Sequence, residues 1–429
     1  MQSKKVLIVT YYWPPAGGPG VQRWLKFAKY LPEFGFEPVI YAPANPSYPI
    51  SDESLLKEVP ENLKVIRKKI WEPYRFAEKL NPQNKKFKAG QFDVGKHQSW
   101  KSKLSVWIRG NFFIPDARVF WVKPSVNFLK RYLIKNQIDT VITTGPPHSL
   151  HLIGLALKKA NLKLKWIADF RDPWTEISYY KHLRLSKLAN FIHHKLERKV
   201  FKTADITIAT SFTDAENFRE RGAKSVTITN GFDFEPGVSN SKTEKFSLSY
   251  IGILEQLRNP ENLWQVLEKM IKQNAEFSND FQLKFVGKID EKILQDLERK
   301  NLKSHIKNMG YLSHDESYRE MQSSDLLLIT NFPQENSRGI IPGKLFEYLS
   351  TGNHIISFGP KNADVEKILE KTNSGKHFQF NDSAKIEEFI LKTYNQWKLG
   401  NSQNKTSNIE EFSRRNLTKK LAEVLNGLS

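Results

Sequence analysis

Two runs in the second half of this sequence place charged side chains and glycines where anion chemistry needs them. Tyr250-Ile251-Gly252 closes an apolar run and Arg258-Asn259-Pro260 opens an amphipathic one; Ser337-Arg338-Gly339-Ile340-Ile341-Pro342-Gly343-Lys344-Leu345-Phe346-Glu347-Tyr348 follows later. An arginine can make paired hydrogen bonds to a phosphate. Pro342 suits the start of a helix, where its missing N–H costs nothing. Lys344 and Glu347, three apart, then share one helical face near the positive end. A cation for phosphate beside a carboxylate for vicinal ribose hydroxyls suits a nucleotide. A surface ion pair is the plainer alternative.

The first half offers three more candidates, each directly after an apolar run. Tyr11-Tyr12-Trp13-Pro14-Pro15-Ala16-Gly17-Gly18-Pro19-Gly20 precedes a helix with Arg23 in its first turn. Glycines there let a backbone approach a ligand, and a helix start offers N–H groups to an anion. The pattern is neither G-x-G-x-x-G nor a Walker A loop, and a simple strand-to-helix turn remains open. Thr143-Thr144-Gly145-Pro146-Pro147-His148 sets His148 where it can face a ligand or cap the next helix. Asp169-Phe170-Arg171-Asp172 carries two carboxylates around an arginine, fit to orient sugar hydroxyls or to hold a loop as an internal ion pair.

These candidates need elements to hold them. Apolar runs at 6–10, 38–41, 63–67, 140–144, 165–169, 206–210 and 225–229 read as strands, with helices at 21–31 and 185–201. A polar stretch, 231–245, reads as a linker. The alternation then restarts with strands at 246–251, 283–286, 326–329 and 354–357, and helices at 262–272, 291–300, 342–350 and 363–371. The expectation is α/β throughout: two doubly wound domains, 1–230 and 246–408, with a helix at 409–429 packing back toward the first. Residues 68–129 break the alternation and read as an insertion.

At 429 residues, the chain has room for two such cores. Apolar residues at 39% and charged residues at 26% exclude wholesale disorder. With no cysteine there is no disulfide framework and no thiolate nucleophile, which fits a reducing compartment. The start of the chain meets prolines before a signal-peptide core can form. The uncharged run 140–157 carries Pro146, Pro147 and two histidines, so no membrane span is expected. The net charge of +20 is uneven: residues 1–200 hold 35 Lys and Arg against 15 Asp and Glu, and the remainder hold 31 against 31. Within the insertion, Trp71, Tyr74, Phe87, Phe92, Trp100, Trp107, Phe112, Phe113, Phe120 and Trp121 alternate with Lys and Arg. That mixture suits an anionic membrane surface or a single-stranded nucleic acid, or else is a small core with a basic rim.

Taken together, the glycine loop after the first strand, Thr229-Asn230-Gly231-Phe232-Asp233, Gly252 with Arg258, Val286-Gly287 and the run from Pro342 to Gly352 resemble retaining glycosyltransferases of the GT-B fold, family 4. The stretches GPPHS-x-HLIG, DFRDPW and PGKLFEYLSTG are most similar to the branch that builds bacterial surface polysaccharides. The resemblance implies an N-terminal acceptor domain and a C-terminal donor domain facing a cleft. It also implies transfer of a sugar, hexosyl or related, from a nucleotide-diphosphate donor to a lipid-linked or saccharide acceptor.

By the same resemblance, Gly17 and Gly18, Arg258 and Lys344 meet the donor diphosphate, Glu347 holds ribose, and Gly252, Arg338 and Gly343 support the donor. His148 and Asp172 are the catalytic-side candidates. No cofactor and no metal are expected, the protein is expected at the cytoplasmic face of the membrane, and no nucleic acid is expected. The family's first glutamate is Gly339 here, with Glu335 out of register, and its basic residue after the glycine is Ile253. A non-catalytic scaffold of this fold, a polyanion-binding protein and a sugar-nucleotide epimerase are the alternatives.

Overall fold

The computed structural model describes residues 3–72, 100–233, 244–400 and 406–428. They divide into two compact units, residues 1–229 with 414–429, and residues 230–413.

In the first unit the strands are β1 (Lys4–Val9), β2 (Phe36–Pro43), β3 (Lys64–Lys68), β4 (Thr140–Gly145), β5 (Lys165–Phe170), β6 (Ile206–Ala209) and β7 (Ser225–Thr227). The helices are α1 (Pro19–Tyr30), α2 (Trp100–Phe112), α3 (Val122–Lys135), α4 (Ser149–Ala160), α5 (Lys187–Thr203) and α6 (Phe212–Glu220). All seven strands run parallel in the order β3-β2-β1-β4-β5-β6-β7. The order reverses between β1 and β4, where Val9 pairs with Tyr41 on one side and Thr143 on the other.

Strand side chains alternate between two faces, and here both faces are covered. Leu7, Val9, Val141 and Trp166 pack with α3, α4 and α5 through Leu129, Ile153 and Phe201. Val6, Ile8, Ile142 and Ile167 pack on the other face with Trp24 and Leu25 of α1. Burial on both faces is why these strands read as unbroken apolar runs.

The second unit holds β8 (Phe246–Ile251), β9 (Phe281–Val286), β10 (Ile306–Asn308), β11 (Leu326–Thr330), β12 (His354–Phe358) and β13 (Gly375–Phe378). Its helices are α7 (Glu261–Gln273), α8 (Ala275–Asp280), α9 (Glu291–Arg299), α10 (His314–Gln322), α11 (Lys344–Thr351), α12 (Asp364–Thr372) and α13 (Ser383–Lys398). The six parallel strands are ordered β10-β9-β8-β11-β12-β13, reversing between β8 and β11. Leu248, Phe285, Leu328 and Ile356 form its core with Leu267, Ile293 and Tyr394.

The last helix, α14 (Arg414–Gly427), belongs to the first unit. Leu417, Leu421 and Leu425, at helical spacing, join Trp24 and Leu25 in one cluster, and Arg414 donates to Gln22 Oε1 at 2.7 Å. The sequence reading began this helix at 409. Residues 409–412 instead make a separate 3-10 turn in the second unit, because Ser413 is extended (ψ 141°) and ends it.

Within the stretch read as an insertion, 122–135 is a helix packed on the sheet and Trp121 is buried against Tyr41. Residues 73–99, with Tyr74, Phe87 and Phe92, lie outside the described residues, as does 234–243 of the stretch read as a linker. The uncharged run 140–157 is β4 followed by α4, and among the described residues no helix is long and apolar enough to cross a membrane.

Candidate functional site

In an open parallel sheet, ligands bind outside the carboxyl ends of the strands, where the strand order reverses. Apart from Asp169, which lies within β5, the site residues singled out in the sequence lie on loops or helix starts that follow these strands. The two units use their polar groups there differently.

In the second unit, β8 ends at Ile251, and Gly252 follows with φ +124°, its N–H donating to Val286 O at 2.7 Å. Gly287, after β9, has φ +109°, and a side chain there would meet Gly252 O at 2.3 Å. Two strand ends therefore approach so closely that only glycine fits. Lys344 opens α11 and reaches back to this point. Its Nζ donates to Ile251 O at 2.8 Å and lies 3.8 Å from the centroid of the Tyr250 ring. Tyr348, one turn on, accepts the Ile251 N–H at 3.2 Å.

Burial and the nearby Arg258 push the Lys344 amine down to about 7, against a smaller upward pull from Glu347. An ammonium held short of its usual charge by a second cation gains strongly from an anion placed beside both. Arg258 sits over the Phe332 ring at 5.3 Å and donates to Ile253 O and Glu255 Oε2, each at 3.2 Å, while its Nε is buried with no hydrogen-bond partner. Glu347 is half-buried in the first turn of α11. Gly343 is exposed at the helix start, with nothing within 4 Å of where a Cβ would sit. Arg338 closes the short 3-10 turn after β11, and its carbonyl accepts from Asp364 N at 2.9 Å. Glu335, in that turn, is exposed.

In the first unit, Gly17 and Gly18 follow β1. The Gly17 N–H donates to Ile50 O at 3.1 Å, a side chain at Gly17 would press on Ile50 at 2.9 Å, and Gly18 has φ +101° with open space around it. The flanking charges are spent on the fold. Asp169 is fully buried and accepts from Arg23 Nη2 at 3.0 Å, Trp24 Nε1 at 2.8 Å and Thr144 Oγ1 at 2.8 Å. Arg23 also donates to Thr229 O at 2.7 Å and Ile228 O at 2.9 Å. The internal ion pair considered for the Asp169-Arg171-Asp172 run thus exists, but its cation is Arg23, from α1.

Arg171 does different work. Its Nε donates to Gly145 O at 3.3 Å and its Nη2 to Pro146 O, and its own carbonyl accepts from Thr210 Oγ1 at 2.8 Å. A Cβ at Gly20 would lie 1.6 Å from Arg171 Nη1. One guanidinium thereby holds together the loops after β1, β4 and β5. The sequence reading gave Gly20 and Arg171 no such role, since a glycine opposite an arginine 151 positions away leaves no local signal.

His148 is buried at the start of α4 without acting as a side-chain cap. Its ring stacks on Trp174 (5.2 Å, 4°), and neither ring nitrogen has a hydrogen-bond partner. Burial, then His151 and Arg171, hold it well below the usual imidazole range, so it is neutral. His151, pushed down to about 3 by burial, meets Thr143 Oγ1 at 2.9 Å. Asp172 is exposed just beyond Arg171. No group of three or more His, Cys, Asp or Glu is placed to hold a metal ion among the described residues.

Comparison with known proteins bears on these two sites. Residues 97–236 match the family model Glycosyltransferase Family 4. The capsular polysaccharide biosynthesis glycosyltransferase CapH of Staphylococcus aureus is 27% identical over 279 residues, which is 62% of this chain and 69% of CapH. Among solved structures, Anabaena HepE in complex with UDP superposes with a TM-score of 0.61 at 13% identity, covering 99% of this chain and 100% of HepE. A glycosyltransferase from Rickettsia africae superposes with a TM-score of 0.60 at 14% identity, covering 100% and 99%. Both sheets and their helices match the GT-B fold of these neighbours, and together with the match over residues 97–236 they support a glycosyltransferase of the family-4 type.

Proposed function

We propose that this protein is a metal-independent, retaining glycosyltransferase. It moves a hexosyl or related sugar from a nucleotide-diphosphate donor to a lipid-linked or saccharide acceptor in cell-surface polysaccharide or glycolipid synthesis. The observation that carries the donor side is the meeting of Gly252, Arg258 and Lys344 at the strand-order reversal of the second unit, with Glu347 one helical turn on. Arg258 and Lys344 neutralise the diphosphate, Glu347 accepts from the ribose hydroxyls, and Gly252, Arg338 and Gly343 support the donor. The HepE structures hold UDP and UDP-glucose, which makes uridine nucleotides the first probes.

In the reaction, the acceptor hydroxyl oxygen bonds to the anomeric carbon as the bond from that carbon to the diphosphate oxygen breaks. The hydroxyl proton passes to the departing diphosphate on the same face, which preserves the configuration. The two cations stabilise charge that develops on the leaving group, the role a metal plays elsewhere. In the first unit, Gly17 and Gly18 approach the donor phosphate or sugar, and His148 and Asp172 meet the sugar and acceptor. The protein works as a peripheral protein at the cytoplasmic face of the membrane, drawn there by the positive first half of the chain.

The test is a thermal-shift titration with UDP, GDP, ADP and TDP and their sugar conjugates, repeated on Glu347→Ala. One nucleotide stabilises the wild type by mass action, and the variant loses the effect. No shift with any nucleotide at millimolar concentration removes the donor site.

A further inference from the structure

The first unit carries an exposed surface for which neither its core nor its strand-end loops has a use. On α2, the outward residues Leu104, Trp107, Ile108 and Phe112 are 45%, 40%, 39% and 68% exposed, while Val106 and Gly110 on the other side are buried. On α5, the residues 188, 191, 195, 198 and 202 fall at alternating spacings of three and four, which aligns them along one face. That face is Leu188, Phe191, Lys195, Arg198 and Lys202, all exposed, with Leu188 at 68% and Phe191 at 61%. The opposite face of α5, with Ala189, His193, Glu197 and Val200, is buried.

The two helices are joined. Asn111 at the end of α2 accepts from Ser186 N at 2.7 Å and donates to Arg184 O at 3.2 Å, and a Cβ at Gly110 would meet Leu185 at 2.7 Å. The end of α2 thus abuts the start of α5, and each helix carries apolar residues on its exposed side. Isolated exposed apolar residues need no explanation, but six large ones on two joined helices do.

Along α5 the patch turns cationic. A groove of about 630 Å³ is lined by Phe191, His194, Lys195, Arg198, Lys199 and Lys202. The sequence of α2 has no acid, and the one acid of α5, Glu197, is buried and taken up by Thr175 and Arg221. Lys199 faces Lys159 of α4 closely enough to lower the Lys159 amine, so two like charges stand together there.

We infer that the joined outer faces of α2 and α5 form a docking surface for an anionic lipid bilayer, with the apolar half seated at headgroup level and the cationic half on lipid phosphates. A soluble polyanion would need the cations alone, and a second copy of this chain the apolar residues alone. The bilayer is the partner that uses both along one face. The stripe from Leu188 to Lys202 is about 21 Å long at the helical rise, enough to contact several headgroups. The inference rests on the peripheral-membrane part of the proposed function and is independent of the donor site.

The test is flotation of the full chain with vesicles of phosphatidylcholine alone or mixed with phosphatidylglycerol, with the UDP thermal shift measured in parallel. The wild type floats with the mixed vesicles and not the neutral ones, and rising salt releases it. Changing Lys195, Arg198, Lys199 and Lys202 together to glutamine lowers partitioning by about 100-fold or more. Phe112→Ser with Phe191→Ser lowers it by about tenfold or more. Any UDP response of the wild type persists in both variants, which separates docking from the donor site and shows that the variants fold. Absence of flotation by the wild type overturns the inference, as does flotation that neither variant weakens or that high salt leaves intact. Competition by soluble polyphosphate with no effect of the two serine changes assigns the surface to a soluble polyanion instead. Self-association abolished by those changes, without vesicle binding, assigns it to a second copy.

Discussion

The two units share a parallel, doubly wound topology and carry polar residues at the same place in it, yet they spend those residues in opposite ways. In the first unit Arg23 and Asp169 saturate each other beneath the loops, and Arg171 is occupied with backbone carbonyls. In the second, Lys344 and Arg258 are two cations close enough to oppose each other's charge, set against backbone oxygens and aromatic rings, and the acid on Arg258, Glu255, is exposed. A charged residue at a strand end is therefore ambiguous until its partners are known. Where the partner is a buried group of opposite charge, the residue builds the fold; where a partly buried cation has another cation beside it, we propose that a ligand supplies the anion.

The sharpest way to break that contrast is through Asp169. Asp169→Leu leaves Arg23 buried without its anion and strips Trp24 and Thr144 of their acceptor. It is expected to cost about 3–5 kcal/mol in urea unfolding of the full chain. The double variant Arg23→Met/Asp169→Leu is expected to recover part of that loss, because no uncompensated charge remains. Equal losses in the single and double variants would show that the ion pair is not what holds these loops.

Lys344 is expected to behave in the opposite sense. Lys344→Met lowers UDP affinity by about 10- to 100-fold, the worth of a charge-assisted bond, and does not destabilise the unliganded protein. The folded amine titrates near 7, below its unfolded value. Charging it therefore opposes folding in full below about pH 7, and this cost fades as pH rises toward the unfolded value. The gain in stability from Lys344→Met is thus largest at or below neutrality. Binding the diphosphate draws a proton onto the amine, so the wild-type UDP affinity falls as pH rises from 7 to 9, by up to about tenfold per unit. Lys344→Arg removes that slope. Isothermal titration across this range measures both effects, and a flat wild-type profile would separate Lys344 from the diphosphate.

Arg171 tests whether the first unit's loops act as one piece. Gly20→Ala sets a methyl 1.6 Å from its Nη1, so the guanidinium must leave its carbonyls; the expected cost is about 1–3 kcal/mol. Arg171→Lys, which cannot span the same acceptors, is expected to cost about 1–2 kcal/mol. In the double variant Gly20→Ala/Arg171→Ala the losses are less than additive. Full additivity would mean that the two residues act independently.

How much of this was open to sequence reasoning follows from where each signal lies. The central strands are buried on both faces and announce themselves as apolar runs. The edge strands Ile306–Asn308 and Gly375–Phe378 are three and four residues long and partly charged, and no run marks them. The sequence reading gives helix α4 no bounds, because a buried helix face in an uncharged stretch has the same composition as a buried strand. Glycine and arginine after a strand, and a lysine at a helix start, single out Gly252, Arg258 and Lys344, which the structure brings close to one another. Such local cues do not tell Asp169, bonded to an arginine 146 positions earlier, from Asp172, exposed three positions on. The outer stripe of α5 is not singled out, since spacing reveals that a helix has two sides but not which side is buried.

The smallest expected effect is at Gly343, and it sharpens the contrast within the second unit alone. Gly252 cannot carry a side chain without strain, because its φ is +124°. Gly343 can: its backbone is helical (φ −56°, ψ −35°) and nothing lies within 4 Å of a Cβ there. Gly343→Ala should therefore raise the stability of the unliganded protein by about 0.4–1 kcal/mol, by narrowing the unfolded chain. If a diphosphate approaches the backbone at the start of α11, the same methyl stands in its path, and UDP affinity falls while stability rises. Such opposite movements in one variant are what a glycine kept for a ligand produces. If stability rises with affinity unchanged, the helix start acts on the donor through Lys344 alone, and Gly343 leaves the donor set.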